Sequence, residues 1–199
     1  MMNNLPNLPL LIEELQKGNE LAFREFYDQT KSRVFTLTLG YVRNREDAEE
    51  ITQDVFVEVF RSASTFKGDA SATTWLYRIA VNKSLDFLKH RKRQKRFAFI
   101  TSLFDSSTGE VLHQPTDFFH PGIALEKQES AAILFQAINK LSDKQKTAYI
   151  LTKVEGLNNI EAAQVMTISV GAVESLLQRA TENLKKQLAG YYKSLVNSG

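Results

Sequence analysis

From Phe97 to Glu126 the chain carries no lysine or arginine, although it holds 25 of them in 199 residues. Within that stretch Asp105, Glu110, Asp117 and Glu126 stand among Ser, Thr, Gly and Pro residues, the composition of an acidic linker with no core of its own. Both flanks instead repeat apolar residues at the three- and four-residue spacing of amphipathic helices. The chain is therefore constrained to an all-α fold, two small helical domains at residues 8–96 and 127–193 joined by a flexible acidic linker over 97–126. No internal repeat is visible.

Composition narrows the chemistry available to such a chain. With 43% hydrophobic and 24% charged residues it has the balance of an ordinary globular protein. No apolar run approaches the roughly 20 residues needed to span a bilayer, and the start MMNNLPNLPLL lacks the basic segment and cleavage site of a secretory signal. The expectation is a cytoplasmic protein without membrane insertion. Cysteine is absent and the three histidines fall at no zinc-binding spacing, which excludes disulfides and thiol catalysis and leaves no metal or cofactor expected.

The net charge of +2 conceals a segregation along the chain. Glu46, Asp47, Glu49, Glu50, Asp54 and Glu58 dominate one predicted helix, whose inward stripe is Ala48, Ile51, Val55 and Val59, leaving the carboxylates and Val57 outside. Lys89 to Arg96, KHRKRQKR, is almost wholly basic. Between them lies TFKGDASATTWLYRIAVNKSLDFL. A helix starting near Thr74 presents Trp75, Arg78, Asn82, Asp86 and Lys89 along one face and turns Leu76, Ile79, Ala80 and Phe87 to another. An aromatic ring beside a guanidinium and an amide can stack on an unpaired base and bond its edge, while the basic run holds phosphates. The short polar loop before it suits an extruded base. Trp75 reads equally well as a core residue at a helix start, and the residues alone leave both readings open.

In the second domain, Ser142 and Gln145 have the spacing of a capping box that opens a helix carrying Leu151 and Val154 inward and stopping at Gly156. Asn159 is placed to cap Ile160 to Met166, Thr167 and Ile168 make a turn, and Ser169 caps a longer helix through Val173, Leu176 and Arg179 to about Leu188. This is the order of a helix-turn-helix, with small Ala163 allowing close approach and Val173 and Leu176 pinning the second helix. Its outward face is Val170, Gly171, Glu174, Ser175, Gln178 and Arg179. Thr167 stands where glycine is usual, because the backbone there often turns left-handed, at a cost for a β-branched residue on the order of 1 kcal/mol. A three-helix bundle without a DNA role shows the same pattern.

Taken in order, DAEEITQDVFVEVF, FKGDASATTWLYRIAVNKSLDFLKHRKR and EGLNNIEAAQVMTISVGAVESLLQRA resemble the extracytoplasmic-function class of bacterial sigma factors over nearly the whole chain apart from linker and tails. The resemblance implies that Glu50, Gln53, Asp54 and Val57 bind the RNA polymerase core. It assigns the −10 promoter element to Phe66, Lys67, Gly68 and Asp69 with Arg78, Asn82 and Asp86, and melting to Trp75 and the basic run, Lys89 and Arg91 included. The −35 element falls to Val170, Gly171, Glu174, Ser175, Gln178 and Arg179, although many relatives carry a basic residue where Glu174 stands. The linker, by the same analogy, threads the polymerase's RNA channel as a mimic of a nucleic-acid backbone. The implied partners are bacterial RNA polymerase core and promoter DNA, with an anti-sigma factor as a further candidate, and the polymerase performs the chemistry.

Two other functions fit parts of the sequence. A freestanding helix-turn-helix regulator needs a dimer interface or an effector pocket, and neither a heptad seam nor a pocket sequence is present. A nuclease holding Mg²⁺ on the Glu46–Glu58 carboxylates is disfavoured because these lie along one helix, whereas metal clusters converge from several elements.

Overall fold

A computed structural model of the protein describes residues 7–104 and 128–196, so most of the expected linker lies outside the described residues. Within them the chain is helical and contains no strand. The N-terminal half has four α-helices, α1 (Leu8–Gln16), α2 (Glu20–Val42), α3 (Arg45–Ser62) and α4 (Ala72–Phe104), with a 3₁₀ turn at Ala63–Thr65. Each start has a local cause. A proline near the start of α1 costs no intrahelical bond, and the Asn19 side chain accepts from the main-chain N–H groups of Leu21 and Ala22 to open α2. Arg43 ends α2 in the left-handed region at φ 58°, and Asn44 caps α3 by accepting from the Asp47 N–H at 2.7 Å.

The inward stripe of α3 contains Ala48, Ile51, Val55 and Val59 as expected, widened by Thr52 and Phe56. Helix α4 starts at Ala72 rather than near Thr74, since the Ser71 hydroxyl accepts from the Thr74 N–H at 3.1 Å. It also continues to Phe104, beyond the expected end at Arg96. FAFITSLF contains no glycine or proline to interrupt the hydrogen-bond ladder, so composition marks a linker where the backbone is still helical.

The C-terminal half comprises α5 (Gln128–Asn139), α6 (Asp143–Tyr149) with a π-helical turn at Ile150–Val154, α7 (Asn159–Met166) and α8 (Val170–Val196). Three local expectations need correction. Ser142 caps α6, but only half of the box forms, because Gln145 Oε1 accepts from Asn183 Nδ2 of α8 instead. Asn158, not Asn159, caps α7: its Oδ1 accepts from the Glu161 N–H at 2.9 Å while Glu161 Oε2 accepts from the Asn158 N–H at 2.8 Å, a closed box available only at that three-residue spacing. Helix α8 runs past Leu188, and its inward row continues from buried Val173 through Ala180 and Leu184 with half-buried Leu177 packed beside them, whereas Leu176 stays outside the core.

The apolar cluster runs without a break from α1 to α8. Where the halves meet, α2 carries Gly40, and a Cβ there would touch Ile150 Cδ1 of the π turn at 3.6 Å and Phe135 of α5 at 3.8 Å. The second half is thus seated against α2 and α4 of the first.

Candidate functional site

On α3 the side chains of Glu50, Gln53, Asp54 and Val57 are all exposed. Asp47 and Glu58 are not part of that face, since Arg91 binds the Asp47 carboxylate and Lys83 Nζ lies 3.0 Å from Glu58 Oε2, tying α3 to α4. The outward face is therefore less acidic than the sequence suggests. Beside it, Val57 and Phe60 remain 48% and 55% exposed, and with Phe23, Tyr27 and Phe56 they line an apolar groove of about 620 Å³. Phe23 and Phe60 meet edge to face at 5.4 Å, which keeps the groove wall in place.

The loop before α4 is held from an unexpected direction. Gln16 of α1 donates from Nε2 to the carbonyls of Ala63 at 3.1 Å and Phe66 at 2.9 Å, anchoring its start. Gly68 then takes φ 77°, and Lys67, Gly68 and Asp69 are exposed. Phe66 and Trp75 pack ring to ring at 5.1 Å against the core, so Trp75 is half-buried rather than presented freely. The core reading and the base-stacking reading of Trp75 thus share one residue.

Along α4, Asn82, Asp86 and Lys89 are exposed as their helical face requires, but Arg78 is half-buried. Its Nη2 donates to the Gln164 carbonyl of α7 at 2.6 Å. The basic run is not a uniform rail of free cations either: Lys89 pairs with Asp86 at 3.0 Å, Arg91 with Asp47, and Lys92 Nζ lies 3.8 Å from Asp143. These partly exposed pairs are weak enough for phosphates to replace them.

Helices α7 and α8 meet at 101°, inside the range of a helix-turn-helix. Thr167 turns the chain at φ 56° and ψ 46°, the left-handed conformation anticipated for that position, and the Ser169 hydroxyl accepts from the Ala172 N–H at 3.2 Å to start α8. Val170, Gly171, Glu174, Ser175, Gln178 and Arg179 all lie exposed on one side of α8. Val173, behind them, is fully buried. A rigid helix held from behind and polar in front can read base edges in a major groove.

Sequence reasoning missed the polar groups at the seam between the halves. Lys146 of α6 is buried, its Nζ donating to the Tyr41 carbonyl at 2.7 Å and to Asn139 Oδ1, and burial draws its ammonium down to about 8. The Tyr41 hydroxyl donates to Thr147 Oγ1 at 2.9 Å, and the Tyr77 hydroxyl to Glu155 Oε2 at 3.1 Å. Burial pushes the Glu155 carboxyl up to about 7. The available signal was that Lys146 directly precedes Thr147 and Ala148 in a short capped helix, but local sequence does not reveal what lies opposite.

Two family models match the chain, Sigma-70 region 2 over residues 26–94 and Sigma-70 region 4 over residues 131–184. The first takes in α3, the loop and the polar face of α4, and the second the helix-turn-helix. The chain is 32% identical to RNA polymerase sigma-H factor of Pseudomonas aeruginosa over 178 residues, 89% of this chain and 92% of that one. It is 31% identical to the ECF RNA polymerase sigma-E factor of Haemophilus influenzae, over 89% of this chain and 93% of the relative. Among solved structures, its fold is similar to that of CnrH in complex with the cytosolic domain of CnrY, with a TM-score of 0.65 at 22% identity, covering 91% of this chain and 96% of that one. The sigma factor RpoE of Bartonella quintana, in complex with the anti-sigma factor NepR, gives a TM-score of 0.61 at 20% identity over 84% and 96% of the two chains. With its acidic helix, the polar-faced α4 and the helix-turn-helix in this order, and with these identities over most of its length, the chain belongs to the extracytoplasmic-function class of the sigma-70 family of RNA polymerase sigma factors.

Proposed function

We propose that the protein is a transcription initiation factor that binds the RNA polymerase core, directs it to promoters and helps to melt them, while itself catalysing no reaction. Residues 8–96 form the unit for core binding and the −10 element, and residues 127–193 the unit for the −35 element. The observation that carries this reading is the presence of two separate exposed surfaces on one chain: an α3 face of Glu50, Gln53, Asp54 and Val57, and an α8 face of Glu174, Ser175, Gln178 and Arg179. A DNA reader acting alone has no use for the first. Phe66 to Asp69, Trp75, Arg78 and Asn82 are the groups proposed to engage the melted −10 strand, with Asp86, Lys89 and Arg91 beside them, by stacking and by hydrogen bonds to base edges. The protein acts in the cytoplasm, where polymerase and promoters are, and its sigma family makes an anti-sigma protein a further partner.

Run-off transcription with purified core polymerase on genomic fragments tests the proposal. Discrete new transcripts are expected only when the protein is added. Fragment binding by the protein alone, with no gain in initiation when core is present, would overturn it in favour of a freestanding regulator.

A further inference from the structure

Helix α1 is seated on the bundle by Leu8, Leu11, Ile12 and Leu15, all of them buried. Its last residue, Gln16, is exposed, yet its Nε2 spans 47 and 50 positions of chain to donate to the carbonyls of Ala63 at 3.1 Å and Phe66 at 2.9 Å. A carboxamide meets two carbonyls only with its nitrogen end, so the partners fix the orientation of this side chain and each of its two N–H groups serves one oxygen. The apolar row of α1 already holds the helix in place without these bonds. Gln16 also precedes residues 26–94, the segment matched by Sigma-70 region 2.

What the amide holds is the loop before α4. The Phe66 N–H donates to the Ala63 carbonyl at 3.1 Å, and Gln16 clips that same oxygen to the carbonyl of Phe66. At the far end the Trp75 N–H donates to the Ser71 carbonyl at 2.9 Å and the Thr74 N–H to the Ser71 hydroxyl at 3.1 Å. Between these anchors no hydrogen bond among the described residues holds Lys67 to Ala70, and a Cβ on Gly68 would meet nothing within 4 Å. The path of the loop is therefore decided at its ends. A planar trans peptide carries its C=O and N–H on opposite sides, so drawing the Phe66 carbonyl toward α1 turns the Lys67 N–H away from it. The Phe66 ring in turn lies 5.1 Å from that of Trp75.

We propose that Gln16 is a positioning residue for the −10 reading loop: by clipping the Ala63 and Phe66 carbonyls together it holds the Phe66–Lys67 peptide and the Phe66 ring in the arrangement that accepts one base of the melted strand. This role rests on the −10 function proposed above for Phe66, Lys67, Gly68 and Asp69. Gln16 itself touches no base. It makes the competent loop the populated one, so its loss costs discrimination at the −10 element and spares the binding of core polymerase and of the −35 element.

Gln16→Glu keeps the shape but sets acceptors against two carbonyls, Gln16→Met keeps the length and removes both donors, and Glu13→Gln, exposed on the same helix, is the control. Trp75 is the only tryptophan of the chain, so fluorescence of the full-length protein reports its contact with Phe66 directly. In both Gln16 variants its emission is expected to shift to longer wavelength and its quenching by acrylamide to increase, with thermal melting as in wild type. Holoenzyme reconstituted from each variant then selects open complexes from a promoter library randomised over the −10 and −35 elements. Preference at one −10 position is expected to fall several-fold, further in Gln16→Glu than in Gln16→Met, with −35 preferences and core affinity unchanged. Unaltered quenching overturns the part assigned to the Phe66 ring. Intact −10 preferences in both variants overturn the role of Gln16 and leave the promoter reading standing. An even loss over both elements with a lowered melting temperature also overturns it, since Gln16 then serves only the fold. A wild-type holoenzyme without any −10 preference overturns the promoter reading itself.

Discussion

Thr167 turns the helix-turn-helix with a side chain ill suited to its backbone. At φ 56° its Cβ crowds the neighbouring carbonyl, which costs an L-residue about 1–2 kcal/mol, more for a branched one. The position was identifiable from sequence because the length between α7 and α8 leaves only a tight turn, and a tight turn at a helix end goes left-handed. Thr167→Gly removes the crowding but loosens the unfolded chain by about 0.5–1 kcal/mol. The net expectation is a gain of up to about 1 kcal/mol, measured by urea unfolding followed by circular dichroism. A loss would mean that the exposed threonine makes contacts worth more than its strain. Capping shows the limit of the same kind of reasoning: Asn158 and Asn159 are chemically identical, and only the reciprocal bond from Glu161 selects the first.

At the scale of elements, helical period placed both faces of α3 and the outward face of α8, because burial on a helix repeats with the backbone, but it put Leu176 in the α8 core where Leu177 packs instead. It could not tell which carboxylates of α3 face solvent and which face α4. Asp47 and Glu58 turn to Arg91 and Lys83, so the surface offered to a basic partner is carried by Glu50 and Asp54 with Gln53 between them. Gln53→Lys combined with Asp54→Lys reverses the charge at its centre. Core binding in a pull-down or titration is expected to weaken markedly, while stability moves by about 0.5 kcal/mol or less per exposed site. Undiminished binding would remove the docking role from this face. Trp75 is a case where the period was right and the environment decided more: its ring meets Phe66 and is half-buried against the core, so it is less open to a base than its helical face suggests.

For the whole molecule, the buried groups at the seam make stability depend on pH. Burial raises the Glu155 carboxyl from an ordinary 4.5 to about 7, so the folded chain binds its proton more tightly than the unfolded chain. Its contribution to stability is full below about 4.5 and is lost as the pH rises through 7. Lys146, drawn from 10.5 down to about 8, pulls the other way, since its burial favours the neutral form as the pH rises. Between about pH 6 and pH 8 the carboxyl dominates, and the protein is expected to be more stable at the lower value by about 1 kcal/mol. Urea unfolding followed across that range checks the sign. Glu155→Gln should abolish the dependence and leave only the shallow opposite slope of Lys146, whereas an unaltered profile would place the titration elsewhere.

The order of the three motifs, the amphipathic faces and the left-handed turn were determined by the sequence alone, because each depends on neighbours within a few residues or on a helical repeat. So was the family, which rests on that order. The extent of α4 into the apparent linker, the loss of two carboxylates from the α3 surface and the half-burial of Trp75 and Arg78 were decided by tertiary structure. Tyr41 and Lys146 meet across 105 positions of chain, and Arg78 and Gln164 across 86. No local pattern records such a partner: a buried cation looks like any other lysine until the helix end it caps is in place.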